Sequence, residues 1–288
     1  MKVLSAFLLV LLAIPAATQT AKPEYVSGAG VKYYAQADAN GAVAEAEKNL
    51  AADAKNVELI LALGRAQGGI WRFRDAVATY TRGLELAPND ARLLVARGHR
   101  YISLRQPDKA LADLQKAAGI DAKAANLWYH LGLAHYLRSE FAEAAAAFEK
   151  SRDEAKTDGE LVGPSDWLYM SLRRAGQTAE AAKVLERITP EMKIEGNENL
   201  YYSRLLFYKG VKMEADLAVP APSDDMASEL RAATLGYGVG NWHLYNGNAA
   251  KAREYFQHAV TSKAWAAFGF ICAEKDLTRM PAAKGEHK

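Results

Sequence analysis

Three glycines, Gly64, Gly98 and Gly132, recur 34 residues apart, and two further columns keep the same interval: Ala76, Ala110 and Ala144, then Tyr80, Leu114 and Phe148. A fixed period of this length means a stacked array of small units, none of which can bury its apolar face alone. Within a unit the spacing predicts two helices. Leu63-Gly64 lie in the first, Ala76 and Tyr80 lie in the second after a short turn, and Pro88-Asn89-Asp90 closes the unit. Small residues at a crossing with a large one beside them suit two helices that pack closely.

The register continues outward. Ala42, Leu50 and Ala54 fall at the equivalents of Ala76, Leu84 and Pro88, but Ser27-Gly28-Ala29-Gly30 argues against a complete first helix, so residues 22–56 read as a degenerate N-terminal capping repeat. Gly176 and Ala181 begin a further copy, Gly210 and Ala215 lie 34 residues beyond them, and Gly247, Ala252, Phe256 and Ala259 mark another. Pro220 and Pro222 break the second helix of the middle copy, in an exposed loop near residues 218–226. A last helix, Ala264 to Leu277, is expected to cover the open end of the stack within a capping segment 264–279, ahead of a flexible tail 280–288. No strand signal competes. The expected fold is all-α, an α-solenoid of about six helix pairs, regular over 57–158 and divergent over 159–263.

These residues resemble the tetratricopeptide repeat (TPR) family. Trp128, Leu131, Gly132, Ala144 and Phe148 meet its signature in one unit, and Ile60, Leu63, Gly64, Ala76, Tyr80 and Pro88 in another. The resemblance implies that the first helix of each pair lines a concave groove. Carried over by register, it places Glu58, Leu61 and Arg65, then Arg92, Val95, His99 and Ile102, then Asn126, Tyr129, Leu133 and Tyr136 on that face. The partner-binding set so implied is Arg65, Arg92, His99, Asn126, Tyr129, Leu133 and Tyr136, a mixture that suits a peptide with an acidic group or a C-terminal carboxylate. Arg97 stands where many such units carry an apolar residue. A guanidinium facing its partner helix needs a counter-charge, and Asp113 is in register to supply one, so a structural Arg97–Asp113 ion pair is expected.

Trp128-Tyr129-His130 and His135-Tyr136 together suggest a reactive cluster at first sight. On a helix, however, His130 and His135 are separated by roughly 140°, so they do not readily share a metal. His135 falls instead with Trp128, Leu131 and Gly132 on a packing face. Enzyme motifs are missing: there is no Gly-x-Ser-x-Gly, His-Glu-x-x-His, Cys-x-x-Cys or phosphate loop. Gly236-Tyr237-Gly238-Val239-Gly240 follows no strand and is expected to open the first helix of the last repeat, where its glycines serve packing. The lone cysteine, Cys272, has apolar neighbours at helical spacing and reads as a buried, inert thiol. Neither a catalytic activity nor a cofactor or metal is expected, and a net charge of +2 gives no nucleic-acid footprint.

Lys2, the apolar run Val3–Ile14 interrupted only by Ser5, and the small residues after Pro15 have the layout of a secretory signal peptide over residues 1–21. That run falls short of the roughly twenty residues that span a bilayer, so stable membrane insertion is not expected. The product is expected to be periplasmic or secreted. The overall layout is similar to periplasmic TPR adaptor lipoproteins of Gram-negative bacteria, without their lipid-bearing cysteine. It implies a non-enzymatic scaffold holding a peptide or partner protein, such as a cell-envelope enzyme, and leaves a homodimer open. The competing expectation is a periplasmic small-molecule or metal-binding protein that uses His99 and the aromatic residues of the same groove.

Overall fold

A computed structural model describes residues 22–281 except 218 and 222; the signal peptide expected over 1–21 and the tail from 282 onward lie outside the described residues. Four complete helix pairs follow one another: α2 (Val57–Gly69) with α3 (Phe73–Leu86), α4 (Ala91–Ser103) with α5 (Pro107–Ile120), α6 (Leu127–Arg138) with α7 (Phe141–Asp153), and α8 (Asp158–Arg174) with α9 (Thr178–Val184). A single helix, α1 (Ala42–Ala52), precedes them. After them come α10 (Glu198–Tyr208), the pair α11 (Met226–Tyr245) and α12 (Ala249–Ala259), and a closing helix α13 (Phe268–Arg279). From α1 to α9 each helix packs on its chain neighbours, α10 packs on α8 and α11, and the whole is an all-α solenoid of helix pairs.

The columns of the sequence are packing partners. A Cβ at Gly64 would lie 2.2 Å from Tyr80, one at Gly98 2.8 Å from Leu114, and one at Gly132 2.8 Å from Phe148. Each glycine thus makes room for the large residue sixteen positions on, while Ala76, Ala110 and Ala144 are fully buried at the crossing. The period extends to the helix starts. Asn56 accepts hydrogen bonds from the amides of Glu58 and Leu59, and Asp90 accepts them from Arg92 and Leu93, which satisfies donors that have no partner within the helix.

Arg97 forms a two-pronged pair with Asp113, its Nε 2.7 Å from Oδ2 and its Nη2 2.8 Å from Oδ1, and its remaining Nη1 donates to Thr81 Oγ1 at 3.0 Å. The pair bridges the α4 and α5 helices of one unit. Arg97→Ala would leave the buried Asp113 carboxylate without its donors, and is expected to cost about 1.5–3 kcal/mol of stability. Urea unfolding measures this directly, and an unshifted midpoint would make the pair energetically neutral.

Three regions depart from expectation. The N-terminal segment folds as a short antiparallel hairpin, Tyr25–Val26 against Lys32–Tyr33, so the chain is not strandless. Gly30, at φ 80°, supplies the left-handed residue of its turn, and the Gly30 amide donates to the Ser27 carbonyl at 2.9 Å. The second departure is at α11, which starts at Met226 under an Asp225 cap, so Gly236–Gly240 lies in the middle of that helix instead of opening it. There Gly240 accommodates the ring of Phe256 and Gly238 the side chain of Arg204. After α10, where Pro220 and Pro222 left little of a second helix to expect, stands a 3-10 turn, Glu214–Leu217. That turn is anchored by Glu214, which accepts from the Tyr255 hydroxyl at 2.6 Å and pairs with Lys251 at 2.9 Å.

The third departure is α13, which does more than cover the end of the stack. It packs on α11 and α12 and then reaches back across the first helices of earlier units. Asp276 takes two hydrogen bonds from Arg174 at 2.9 and 3.0 Å, Glu274 pairs with Arg105 at 3.0 Å, and Arg279 donates to the Leu137 carbonyl at 2.6 Å. The N-terminal hairpin meets the same segment. Tyr25 donates to Glu274 at 3.1 Å, and Tyr33, Trp71 and Phe73 gather around Trp265 with ring centroids 5.4–5.6 Å apart. The first and last parts of the array are therefore joined.

Candidate functional site

This closure decides which part of the expected groove is accessible. Leu133 and Tyr136, expected to face a partner, are buried in the core at 0% and 2% exposure, as is Ile102. The reason is that α11 and α13 occupy the concave side opposite α6 and α8: the Tyr136 hydroxyl accepts from the Tyr237 hydroxyl at 2.8 Å and from Asn241 Nδ2 at 3.0 Å. Tyr129 is half-buried, between the ring of Phe148 at 5.7 Å and that of Phe268 of α13 at 6.3 Å. His135, expected to pack, is half-buried and shares a 2.7 Å hydrogen bond with Glu140, away from His130.

What stays open is a cleft of about 510 Å³ bounded by α2, α4 and the start of α6. Arg65, Arg92, His99 and Asn126 line it, so four residues of the sequence-derived set come together there. Arg100 and His130 line it too, and the sequence reading assigned neither to the groove. Both were within reach. His130 stands four residues after Asn126 and so shares its helix face, and Arg100 follows His99 directly. Asn126 differs from its counterparts Asn56 and Asp90: it starts α6 at φ 60° and its side chain does not cap the helix, which leaves the amide to face the cleft.

The charges in the cleft are unevenly matched. Arg92 at the rim is neutralised by Asp90 at 2.7 Å and Glu58 at 2.6 Å. Arg65 is exposed, and among the described residues it forms no ion pair. Arg100 is half-buried and also has no carboxylate partner among the described residues. Its guanidinium lies 5.1 Å above the Phe73 ring, with Nη1 3.4 Å from the Gly68 carbonyl and Nη2 against the His99 ring, 2.5 Å from Nδ1 and 2.7 Å from Nε2. Burial alone pulls the Arg100 pKa down to about 10. The His99 and His130 rings stack with centroids 4.1 Å apart, Phe268 closes one side, and Nδ1 of His130 is buried without a hydrogen-bond partner.

Burial, reinforced by the charge of Arg100, holds His130 down to about 3 and His99 well below the usual imidazole range. Both are neutral in the folded protein near pH 7. The unfolded chain, with ordinary histidines near 6.5, binds protons that the folded one refuses, so this contribution to stability is lost as pH falls below about 6.5. The expected slope is about 1.4 kcal/mol per pH unit for each histidine between roughly pH 6 and 4. Denaturant titrations of wild type and His130→Asn check this: the variant should lose the slope of one proton, and equal slopes would contradict a neutral buried His130.

Cys272 is buried, and burial pushes its thiol up. Among the described residues there is no group of three or more His, Cys, Asp or Glu side chains placed to hold a metal, and no helix long and apolar enough to cross a membrane.

Stacked helix pairs with a residual concave cleft define a helical-repeat protein. The tetratricopeptide repeat family model matches residues 91–123, the α4–α5 unit, and the 34-residue columns that pack as partners carry the same repeat through the units on either side. The chain is 29% identical over 110 residues to the heat-shock protein cognate co-chaperone sgt12 of Aspergillus fumigatus, covering 38% of this chain and 31% of that protein. It is 31% identical over 138 residues to ALBINO3-like protein 3, mitochondrial, of Arabidopsis thaliana, covering 42% of this chain and 24% of that one. It thus spans less than a third of either relative. A tetratricopeptide repeat protein of Parabacteroides merdae has a similar solved structure, with TM-score 0.47 and 16% identity over 82% of this chain and 77% of that one.

Proposed function

We propose that this protein is a non-enzymatic interaction scaffold that holds a peptide or partner protein in the open part of its concave face. Tetratricopeptide-repeat proteins act as protein–protein interaction scaffolds. The observation that carries the reading is the cleft itself, where Arg65, Arg92, His99 and Asn126 converge from three successive first helices. Arginine and amide groups on rigid helices suit recognition of an acidic or polar segment. The rest of the concave face is taken by α13, so the partner contacts the units of α2, α4 and α6.

We further propose that the setting is the bacterial cell envelope, reached through the apolar N-terminal run, with an envelope enzyme as partner and a homodimer as the assembled form. The layout of the sequence supports this part. The competing metal-binding reading has nothing further in its favour, since His99 and His130 stack face to face and no third ligand stands with them among the described residues.

Affinity capture from envelope extracts, with wild type and with Arg65→Ala/His99→Ala/Asn126→Ala, tests the proposal. A specific partner lost in the variant is expected. Retention of every partner by a correctly folded variant would remove the cleft from the binding surface.

A further inference from the structure

We propose that the outer face of the N-terminal hairpin is a lipid-contact surface that rests on an anionic bilayer. Three of the eight exposed large apolar side chains among the described residues, Val26, Val31 and Tyr34, fall within nine residues of that hairpin, and a fourth, Met226, lines the same trough as Val31 and Tyr34. Apolar side chains gathered on a surface in this way mark a place of contact. Strand alternation produces the arrangement. Tyr25 and Tyr33 point into the molecule, the first 4.2 Å from the Arg105 guanidinium and the second 5.6 Å from the rings of Trp265 and Phe270, so Val26 and Lys32 take the opposite face. Between the strands, Ser27-Gly28-Ala29-Gly30 is a tip without charge. The hairpin is also fastened to the helices behind it: Glu24 accepts from the Arg74 amide at 3.0 Å, and the Gln36 amide donates to the Ile70 carbonyl at 2.8 Å.

The charge on this face selects the occupant. Lys22 and Lys32 are exposed and form no ion pair among the described residues, whereas the single acid of residues 22–37, Glu24, is buried and already bonded to Arg74. At the border with α11, Lys263 is paired with Asp224, and Asp225 caps the helix. A second copy would bring two more lysines against these two; an anionic bilayer brings the missing negative charge. Lysines beside valines and a tyrosine suit the headgroup layer, where the amines reach phosphates, the phenol stays at the interface and the valines leave water. So few apolar groups bury far less than a spanning helix does, and the contact is peripheral and reversible. None of these residues lines the cleft, so the surface is separate from the one proposed for a partner.

The test is co-sedimentation of the chain from Lys22 onward, which holds the whole described fold without the apolar N-terminal run that would bind lipid by itself. It is mixed with vesicles of phosphatidylglycerol and phosphatidylcholine, or of phosphatidylcholine alone. Binding to the phosphatidylglycerol vesicles that falls as salt rises is expected, with little to phosphatidylcholine. Lys32→Gln should weaken it about fivefold, the worth of one lysine at an anionic surface, and Val31→Asp about tenfold or more. Both positions are exposed, so folding is not at stake, and circular dichroism of the variants verifies it. Equal binding to the two kinds of vesicle, no binding to either, or binding unchanged in both variants overturns the proposal. Light scattering names the occupant in that event: a dimer that Val31→Asp separates gives the face to a second copy.

Discussion

Asp166→Ala is expected to lower the folding stability by about 3–5 kcal/mol, a large part of what a domain possesses. Asp166 on α8 and Arg204 on α10 are both fully buried, and their side chains form a two-pronged ion pair, with Arg204 Nε 3.0 Å from Asp166 Oδ1. The third arm of the guanidinium donates to the Thr234 carbonyl of α11 at 2.7 Å, so one side chain fastens three first helices together. Gly238 makes this passage possible, because a Cβ there would stand 2.1 Å from Arg204 Cδ. With the carboxylate gone, the arginine stays where water cannot reach it. The joint replacement Asp166→Leu with Arg204→Met should recover most of the loss, since it removes the stranded charge as well as the bond. Equilibrium urea unfolding of the single and double variants distinguishes the cases. A loss below about 1 kcal/mol for the single variant would mean the pair is not desolvated as the geometry implies.

Gly269→Ala is expected to unseat α13. A Cβ at that position would lie 2.4 Å from the carbonyl oxygen of Ala233 and 3.0 Å from the Thr234 Cα. Those are backbone atoms of α11, which cannot rotate aside as a flexible side chain would, so the helices must separate. Overpacking of this kind costs about 1–3 kcal/mol, and more where the obstacle is rigid. The loss should be local first. Amide exchange over α13 should accelerate well before exchange over α4, and Phe268 should withdraw from His99 and His130. Unchanged protection of α13 would refute the close approach.

The contrast between the two halves of the concave face explains how far the sequence could be read. The columns of Gly64, Ala76 and Tyr80 repeat because each unit solves the same local packing problem, so the pairs and the Arg97–Asp113 register were legible from spacing. The burial of Leu133 and Tyr136 was not, since it depends on α11 and α13 returning to meet residues more than a hundred positions earlier, as Tyr237 does at Tyr136 and Arg279 at Leu137. Nothing in a 34-residue period encodes those contacts. Arg65, Arg92 and Asn126 could be placed because they line the cleft ahead of the region α13 covers, and His99 because it stands at that region's edge, against Phe268. Arg100 and His130 escaped because a signature that assigns one position to the groove says nothing about the neighbour lying just beneath it.

The joining of Tyr25 to Glu274 across 249 residues changes how this chain must assemble. An open array folds by neighbour contacts and can peel from either end one unit at a time. Here the ends brace each other, so the last step is the closure of a loop almost as long as the chain, and such non-local steps slow folding more than they alter stability. Once closed, neither end is free to fray independently. The protein should therefore unfold as one cooperative body, and shortening it at either end should weaken the other.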